Sequence, residues 1–399
     1  MIDEIIASSA DGAMRIALRE AGRLMELLVE DGDEPGAVGD IICGRVTAVM
    51  KGMEACFVDI GAERAGFLSL APRGDDDDVS RDMPHEGAAV LVQVTKAAQM
   101  GKGAGLTRNL SIAGRFLVLT PFQNRIAISK RITDEAARAR LESALAVVMG
   151  DEGGFILRTA AAEAPSEALI EDARQLRARW AEIDDRAGNC GIPSRLHAEG
   201  SGLFRVLRDR AHTDLRRVMV DDARAAAEAR AFFAEYLPGL ERRVEVWDGI
   251  DPLFEAFGIE DDIADALEPV VSLPCGGSIV IEQTHALTAI DVNTGRNTGR
   301  SNHADTVFDT NMEAAEEIAR QLRLRGLGGL TVIDFVHMDD AKDEAEVLEA
   351  LLAALADDPS FIRATGFSEL GLVELARRRG QGPLAARIIA ADQVRDGDV

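Results

Sequence analysis

Two short apolar runs, Ala286-Leu-Thr-Ala-Ile-Asp291-Val-Asn293 and Leu330-Thr-Val-Ile-Asp334-Phe-Val336, each enclose one carboxylate. Both are rich in β-branched residues and bounded by turn signals, which predicts short buried strands. Between them, Ala304 to Arg325 repeats at helical spacing with a largely apolar stripe at 307, 308, 311, 315, 318 and 322, and Gly326-Leu-Gly-Gly329 stops it. Strand, helix and strand in this order make a crossover unit. The two strands are therefore expected to be parallel and adjacent, with Asp291 and Asp334 at corresponding heights near their C-terminal ends, where α/β sheets build sites.

Elsewhere the pattern is different. Ala13 to Leu18 and Leu24 to Glu30 predict two strands too short to fold alone. From Val38 to about Leu110, strands at Asp40 to Met50, Glu54 to Ile60, Ala65 to Leu70 and Ala88 to Lys96 are regularly spaced and predict a small barrel. Alternation there puts Cys56, Val58 and Ile60 on one face and Ala55, Phe57 and Asp59 on the other; Gly66, Leu68 and Leu70 likewise oppose Ala65, Phe67 and Ser69. Both phenylalanines thus ride on the more polar face, either as a stacking platform for bases or covered by a neighbouring domain. Residues 111 to 203 predict strands at Phe116 to Leu119 and Ile126 to Ser129, a helix from Asp134 to Met149, a strand at Phe155 to Thr159 and a helix from Ser166 to Ile183. Leu203 to Tyr236 reads as mostly helical and Arg-rich, Val244 to Trp247 as a strand, Pro252 to Leu267 as an acidic helix and Asp343 to Leu355 as an amphipathic one.

At 399 residues, 47% hydrophobic and 28% charged, the chain is globular and long enough for two to four domains. No apolar run has the length of a membrane span, and no basic region followed by an apolar core opens the sequence, so a soluble cytoplasmic protein is expected. Cys43, Cys56, Cys190 and Cys275 are scattered without a Cys-x-x-Cys pair, which predicts reduced thiols and no zinc site. A net charge of −25 speaks against general affinity for nucleic acid and confines any such contact to local basic or aromatic patches. The Asp75-Asp-Asp-Asp78 run reads as a solvated loop, and Gly101-Lys-Gly-Ala-Gly105 lacks the pattern of a nucleotide-binding P-loop.

The two carboxylates admit two readings from their residues alone. Ionised side chains in apolar strands are costly unless paired, and two side by side repel; a hard cation such as Mg²⁺, held by both, removes both costs. Asn293 lies two residues from Asp291 on the same face, where its amide can fix the carboxylate. In the other reading each Asp caps the following turn or pairs with Arg296 or Arg325.

Gly-Gly-Ser-Ile-Val-Ile from Gly276, Leu-Thr-Ala-Ile-Asp-Val-Asn-Thr-Gly-Arg ending at Arg296, and the run from Ala314 through Gly-Leu-Gly-Gly-Leu-Thr-Val-Ile-Asp-Phe resemble the catalytic domain of the ribonuclease E/G family. The resemblance implies an α/β multidomain protein. Residues 1–36 and 204–267 would form a split ribonuclease H-like domain, 37–110 an S1-type OB barrel, 111–203 a 5′ sensor and 268–399 a deoxyribonuclease I-like catalytic domain. It implies Mg²⁺, with Mn²⁺ as a substitute, on Asp291 and Asp334, with Asn293 orienting the first, and cleavage of single-stranded RNA to 5′-phosphate and 3′-hydroxyl ends in RNA processing and decay. Lys102 matches a position that contacts RNA, beside the stacking platform that alternation offers at Phe57 and Phe67. Arg158 and Thr159 match residues that receive a 5′-monophosphate; by pattern alone Arg158 is a surface residue. Lys130 stands where the family often has Arg, which keeps the charge and loses the fork. His337 replaces a usual Asp; strand alternation puts it on the face opposite Asp334. Gly366 to Arg379 resembles the last strand and helix of the catalytic domain. At 380–387 the chain reads Gly-Gln-Gly-Pro-Leu-Ala-Ala-Arg, where family members usually carry a Cys-Pro-x-Cys zinc link, so a monomer or weak homodimer without a zinc-linked dimer is expected, as is the absence of the family's C-terminal part. The rival expectation is a catalytically weak RNA-binding or regulatory homologue.

Overall fold

The computed structural model describes residues 1–9, 13–30, 36–70, 83–98, 102–146, 153–295, 303–380 and 382–389, and the chain forms two compact units, Asp33–Ala211 and Met1–Gly32 with His212–Val399. The aspartate run at 75–78, Gly101, Met149 and Arg296 lie outside the described residues.

In the unit Asp33–Ala211, five strands close a barrel. Ile41–Met50 pairs with Ala55–Asp59, which pairs with Gly66–Ser69; this pairs in parallel with Gly105–Thr107, which meets Ala89–Lys96, and that strand returns to Ile41–Met50. That connectivity is the topology of an OB-type barrel. Its interior is filled by Ile42, Val46, Cys56, Val58, Leu68, Val92, Val94 and Leu106, all buried; Cys56, Val58 and Leu68 belong to the face that alternation sets opposite the phenylalanines. Beyond it, a four-stranded sheet in the order Ile126–Ile128, Gly154–Leu157, Leu117–Thr120 and Ile112–Ala113 shares a core with the helices Glu135–Ala146 and Ser166–Asn189. The second helix outruns its expected end at Ile183 by six residues. Its buried Asp172 accepts the backbone N–H groups of Arg115, Phe116 and Leu117. Arg115 in turn donates to the carbonyls of Arg208 and Ala211, which fastens the end of the helix Gly202–Arg210 to this unit.

In the other unit, chain segments far apart in sequence build one five-stranded sheet in the order Val244–Val246, Arg217–Val220, Glu4–Ser8, Met14–Glu20 and Arg23–Glu30. Two of its members correct the pattern reading. Glu4–Ser8, which carries no alternation because it is buried on both faces, is a central strand. Arg217–Val220 interrupts the expected helical stretch from Leu203 to Tyr236: it is a four-residue strand sheltered between Glu4–Ser8 and Val244–Val246, too short to show a period. Pro252 to Leu267 is two helices, Leu253–Ala256 and Ile259–Leu267, parted at Gly258, whose φ of 68° only glycine adopts readily.

A second sheet of six strands runs Val270–Ser272, Ser278–Gln283, Leu287–Asn293, Gly329–Asp334, Leu372–Arg377 and Ile362–Phe367. The pair Leu287–Asn293 and Gly329–Asp334 is parallel and its other pairings are antiparallel. Ile279, Ile281, Ile290, Val292, Ile333, Val373 and Leu375 form one cluster with the helices His303–Leu324 and Ala341–Leu355. Among the described residues the opposite face is open. This corrects the expectation that the two aspartate-bearing runs are buried on both sides: they alternate, inward residues buried and outward ones exposed, because helices cover only one face. It also corrects Gly366 to Arg379, which ends in the strand Leu372–Arg377 and not in a helix; Gly371, at φ 78°, turns the hairpin.

Candidate functional site

Parallel pairing sets Asp291 directly opposite Asp334, near the C-terminal end of one strand and at that of the other. Both carboxylates stand on the open face, adjacent strands being about 4.8 Å apart. Asn293, on the same face, donates through Nδ2 to Asp291 Oδ2 at 2.8 Å. Asp291 has no other partner among the described residues and Asp334 has none. The alternative in which Arg325 pairs with one of them does not hold, since Arg325 donates to Gln321 Oε1 at 2.5 Å; Arg296 lies outside the described residues. Two carboxylates at one level, without a cation beside them among the described residues and one of them braced by an amide, suit a hard divalent cation, which takes one or two carboxylates and fills its shell with water.

Pattern reading missed the residue that fixes the chain beyond Asp334. Position 311 of the helix stripe is an asparagine, fully buried; its Nδ2 donates to the Val336 carbonyl at 2.8 Å and its Oδ1 accepts from Val336 N at 3.1 Å. The one polar residue in that stripe was its signal. The strand has already ended at Asp334, so His337 belongs to neither sheet face; it is exposed, 3.5 Å from Asp339, and the alternation argument for it lapses.

On the barrel, Phe57 and Phe67 are direct cross-strand partners, half-exposed, with ring centroids 5.8 Å apart in an edge arrangement. Lys102 is exposed at the Ala65 end of the strand that carries Phe67. The close approach there needs glycine: a Cβ on Gly103 would stand 1.9 Å from the Ala65 carbonyl oxygen.

In the sheet beside the barrel, Arg158 donates to the Gly114 carbonyl at 2.8 Å and to Asp209 Oδ1 at 2.6 Å. Burial works against ionisation of Asp209, yet the guanidiniums of Arg208 and Arg158 outweigh it and hold the carboxyl below the usual carboxylate range. Thr159 Oγ1 lies 3.3 Å from Ser129 Oγ, and Lys130, next to that serine, is exposed. The contact between Ser129 and Thr159 brings the two segments that carry Lys130 and Arg158 together, and among the described residues two of the five guanidinium N–H donors of Arg158 are engaged.

A model described as the ribonuclease E/G family matches residues 111–380. Ribonuclease G of Haemophilus influenzae is 36% identical over 389 residues, covering 94% of this chain and 79% of that protein. Ribonuclease G of Escherichia coli K12 is 37% identical over 393 residues, 95% of this chain and 80% of that one. Ribonuclease E of the same strain is 37% identical over 388 residues, 94% of this chain but 36% of its own length.

Proposed function

This chain belongs to the ribonuclease E/G family, and from that premise we infer that it is an endoribonuclease that hydrolyses single-stranded RNA on the open face of the six-stranded sheet, leaving 5′-phosphate and 3′-hydroxyl ends. The observation that carries the reading is the in-register pair of carboxylates, Asp291 and Asp334, with no cation beside either among the described residues. They would hold Mg²⁺, or Mn²⁺ in its place. Such a cation, when bound, supplies neutralisation of phosphate charge and a lowered pKa for water. The chain's own part is geometric. Asn293 takes up one oxygen of Asp291, which fixes the carboxylate plane and leaves Oδ1 for a ligand. Asn311 holds the backbone at Val336 through both its N–H and its carbonyl, which positions the segment that follows Asp334. Attack of water on phosphorus in line with the 3′ oxygen breaks the P–O3′ bond, and the proton lost by the water matches the one the 3′ oxygen gains.

Around this centre the same reading gives each part a task. The five-stranded sheet is ribonuclease H-like and structural, and the six-stranded sheet with its helices is deoxyribonuclease I-like. The barrel is S1-type and stacks bases on Phe57 and Phe67 beside Lys102, while Arg158, Thr159 and Lys130 receive a 5′-monophosphate. The decisive test is cleavage of a short unstructured RNA with and without Mg²⁺. Asp291→Asn and Asp334→Asn should each abolish the Mg²⁺-dependent cut with an unchanged melting curve. Wild-type rates in either variant would show that the carboxylates hold no catalytic cation.

A further inference from the structure

The open face that carries Asp291 and Asp334 continues into a corner of opposite character. Alternation along Leu372–Arg377 brings Leu372, Glu374 and Ala376 to that face, with Arg378 next in line, and along the edge strand it brings Phe361, Arg363 and Thr365. Leu372 is the register partner of Asp334 and Ala376 the partner of Arg363. The Arg378 N–H donates to the Phe361 carbonyl at 2.9 Å, which sets these two side by side. Phe361 is 72% exposed. Arg363 and Arg378 are exposed, and neither guanidinium has a hydrogen bond or an ion pair among the described residues. In a chain of net charge −25, two unpaired guanidiniums beside an exposed aromatic ring are out of keeping with the surface around them. Elsewhere on the described open-face positions of the six strands there is no other cation.

We propose that Phe361, Arg363 and Arg378 form a binding subsite for the single-stranded RNA backbone and one base, a few nucleotides from the scissile bond, in the reaction assigned above, on which this inference rests. The subsite lies on the same face as the carboxylates and is continuous with them. Four residues of strand separate the level of Leu372 from that of Ala376, about 13 Å, and the surface between is the apolar row of Val332, Leu330 and Ala376. Glu374 stands beside Val332 and repels a phosphodiester, so an RNA strand leaving the carboxylates finds its next favourable charge at Arg363 and Arg378. Guanidiniums take phosphate oxygens as a fork, and an exposed phenylalanine stacks any base regardless of sequence.

The test uses the whole chain and a fluorescent unstructured oligouridylate. Binding is titrated at several salt concentrations on the Asp291→Asn protein, so that RNA is not consumed. Each phosphate contact to a single strand contributes about 0.7 to the slope of log affinity against log salt. Arg363→Ala with Arg378→Ala should therefore lower that slope by about 1.4, while Arg363→Lys with Arg378→Lys should keep it. Phe361→Ala should weaken binding at fixed salt by about fivefold or more. In the Asp291 form the Ala pair should raise KM with kcat unchanged, the mark of binding made equally in ground and transition states. An unchanged slope and KM, in a chain that cuts the RNA, overturn this inference alone. Unchanged RNA binding with loss of a concentration-dependent dimer would give the corner to a second copy and also overturns it. A chain that does not cut RNA at all overturns the function, and this subsite with it.

Discussion

In the proposed mechanism Asp291, Asn293 and Asp334 act through position, and so do the side chains proposed to contact RNA on the barrel and in the sheet beside it. Phe57 and Phe67 lean edge to face across neighbouring strands, which leaves each a half-open ring for a base. Removing both, Phe57→Ala with Phe67→Ala, should weaken binding of unstructured RNA by about 1–3 kcal/mol for each base stacked. Unchanged affinity at fixed salt would show that the rings serve only packing. Arg158 is held by Gly114 and Asp209, and among the described residues its other three donors are not engaged, which suits the proposed terminal phosphate. Arg158→Ala should shrink the preference for 5′-monophosphate over 5′-hydroxyl RNA, and equal wild-type rates on both ends would remove the sensor. Asp209 has a depressed pKa, so the support it gives Arg158 is present above the ordinary carboxylate range and is lost as pH falls through the depressed value. The 5′-monophosphate preference should therefore persist at neutral pH and not depend on titration of Asp209 there.

At the scale of elements, the six-stranded sheet works because one face is sealed and the other is free. The seal includes a buried ion pair: Arg377, on the covered face of the last long strand, bonds Asp358 at 2.9 Å through Nε and also reaches the Leu327 carbonyl at 3.0 Å. These two residues tie Leu372–Arg377 to the end of the helix Ala341–Leu355 and to the turn that precedes Gly329–Asp334. Arg377→Ala leaves Asp358 buried and unpaired, which should cost about 3–5 kcal/mol in denaturant unfolding. A loss under about 1 kcal/mol would mean that solvent reaches Asp358 once the arginine is gone. The long helix His303–Leu324 is buried along much of its circumference because it packs on both sheets of its unit: Ile318 and Leu322 join the core of the six-stranded sheet, and Leu324 joins that of the five-stranded one.

For the whole molecule, charge and metal content set the terms. At −25 the chain repels polyanions at long range, so RNA affinity has to come from short-range patches and, in the proposed mechanism, from divalent cations. No helix among the described residues is long and apolar enough to cross a membrane. All four cysteines are free thiols, Cys43 and Cys56 buried, and burial, followed by its contact with Cys190, pushes the Cys43 thiol up to about 11, which disfavours thiolate as a zinc ligand. With no cysteine at 380–387, we expect a monomer or weak dimer. Purified protein should contain no stoichiometric zinc and keep its size on chelation; about one zinc per two chains, released together with dissociation, would contradict this.

The sequence by itself determined the local units. Period-2 alternation put Phe57 and Phe67 on one face; a strand, a helix stopped by glycines and a second strand fixed Asp291 and Asp334 as parallel partners and Asn293 as a neighbour on the same side. These follow from short-range geometry, since side-chain direction and crossover handedness are properties of consecutive residues. Tertiary structure decided which faces are covered. Nothing local in Leu287–Asn293 tells whether helices pack on one side or both, and only one-sided cover turned two costly buried carboxylates into an accessible pair. Arg217–Val220 became a strand because Glu4–Ser8, more than 200 residues away, offers it a partner. Asn311 found its role because its helix lies against the segment after Asp334, and Phe361, Arg363 and Arg378 share a corner only through strand pairing. Contacts between residues distant in the chain carry no periodic trace in it, and those are the contacts that made the site.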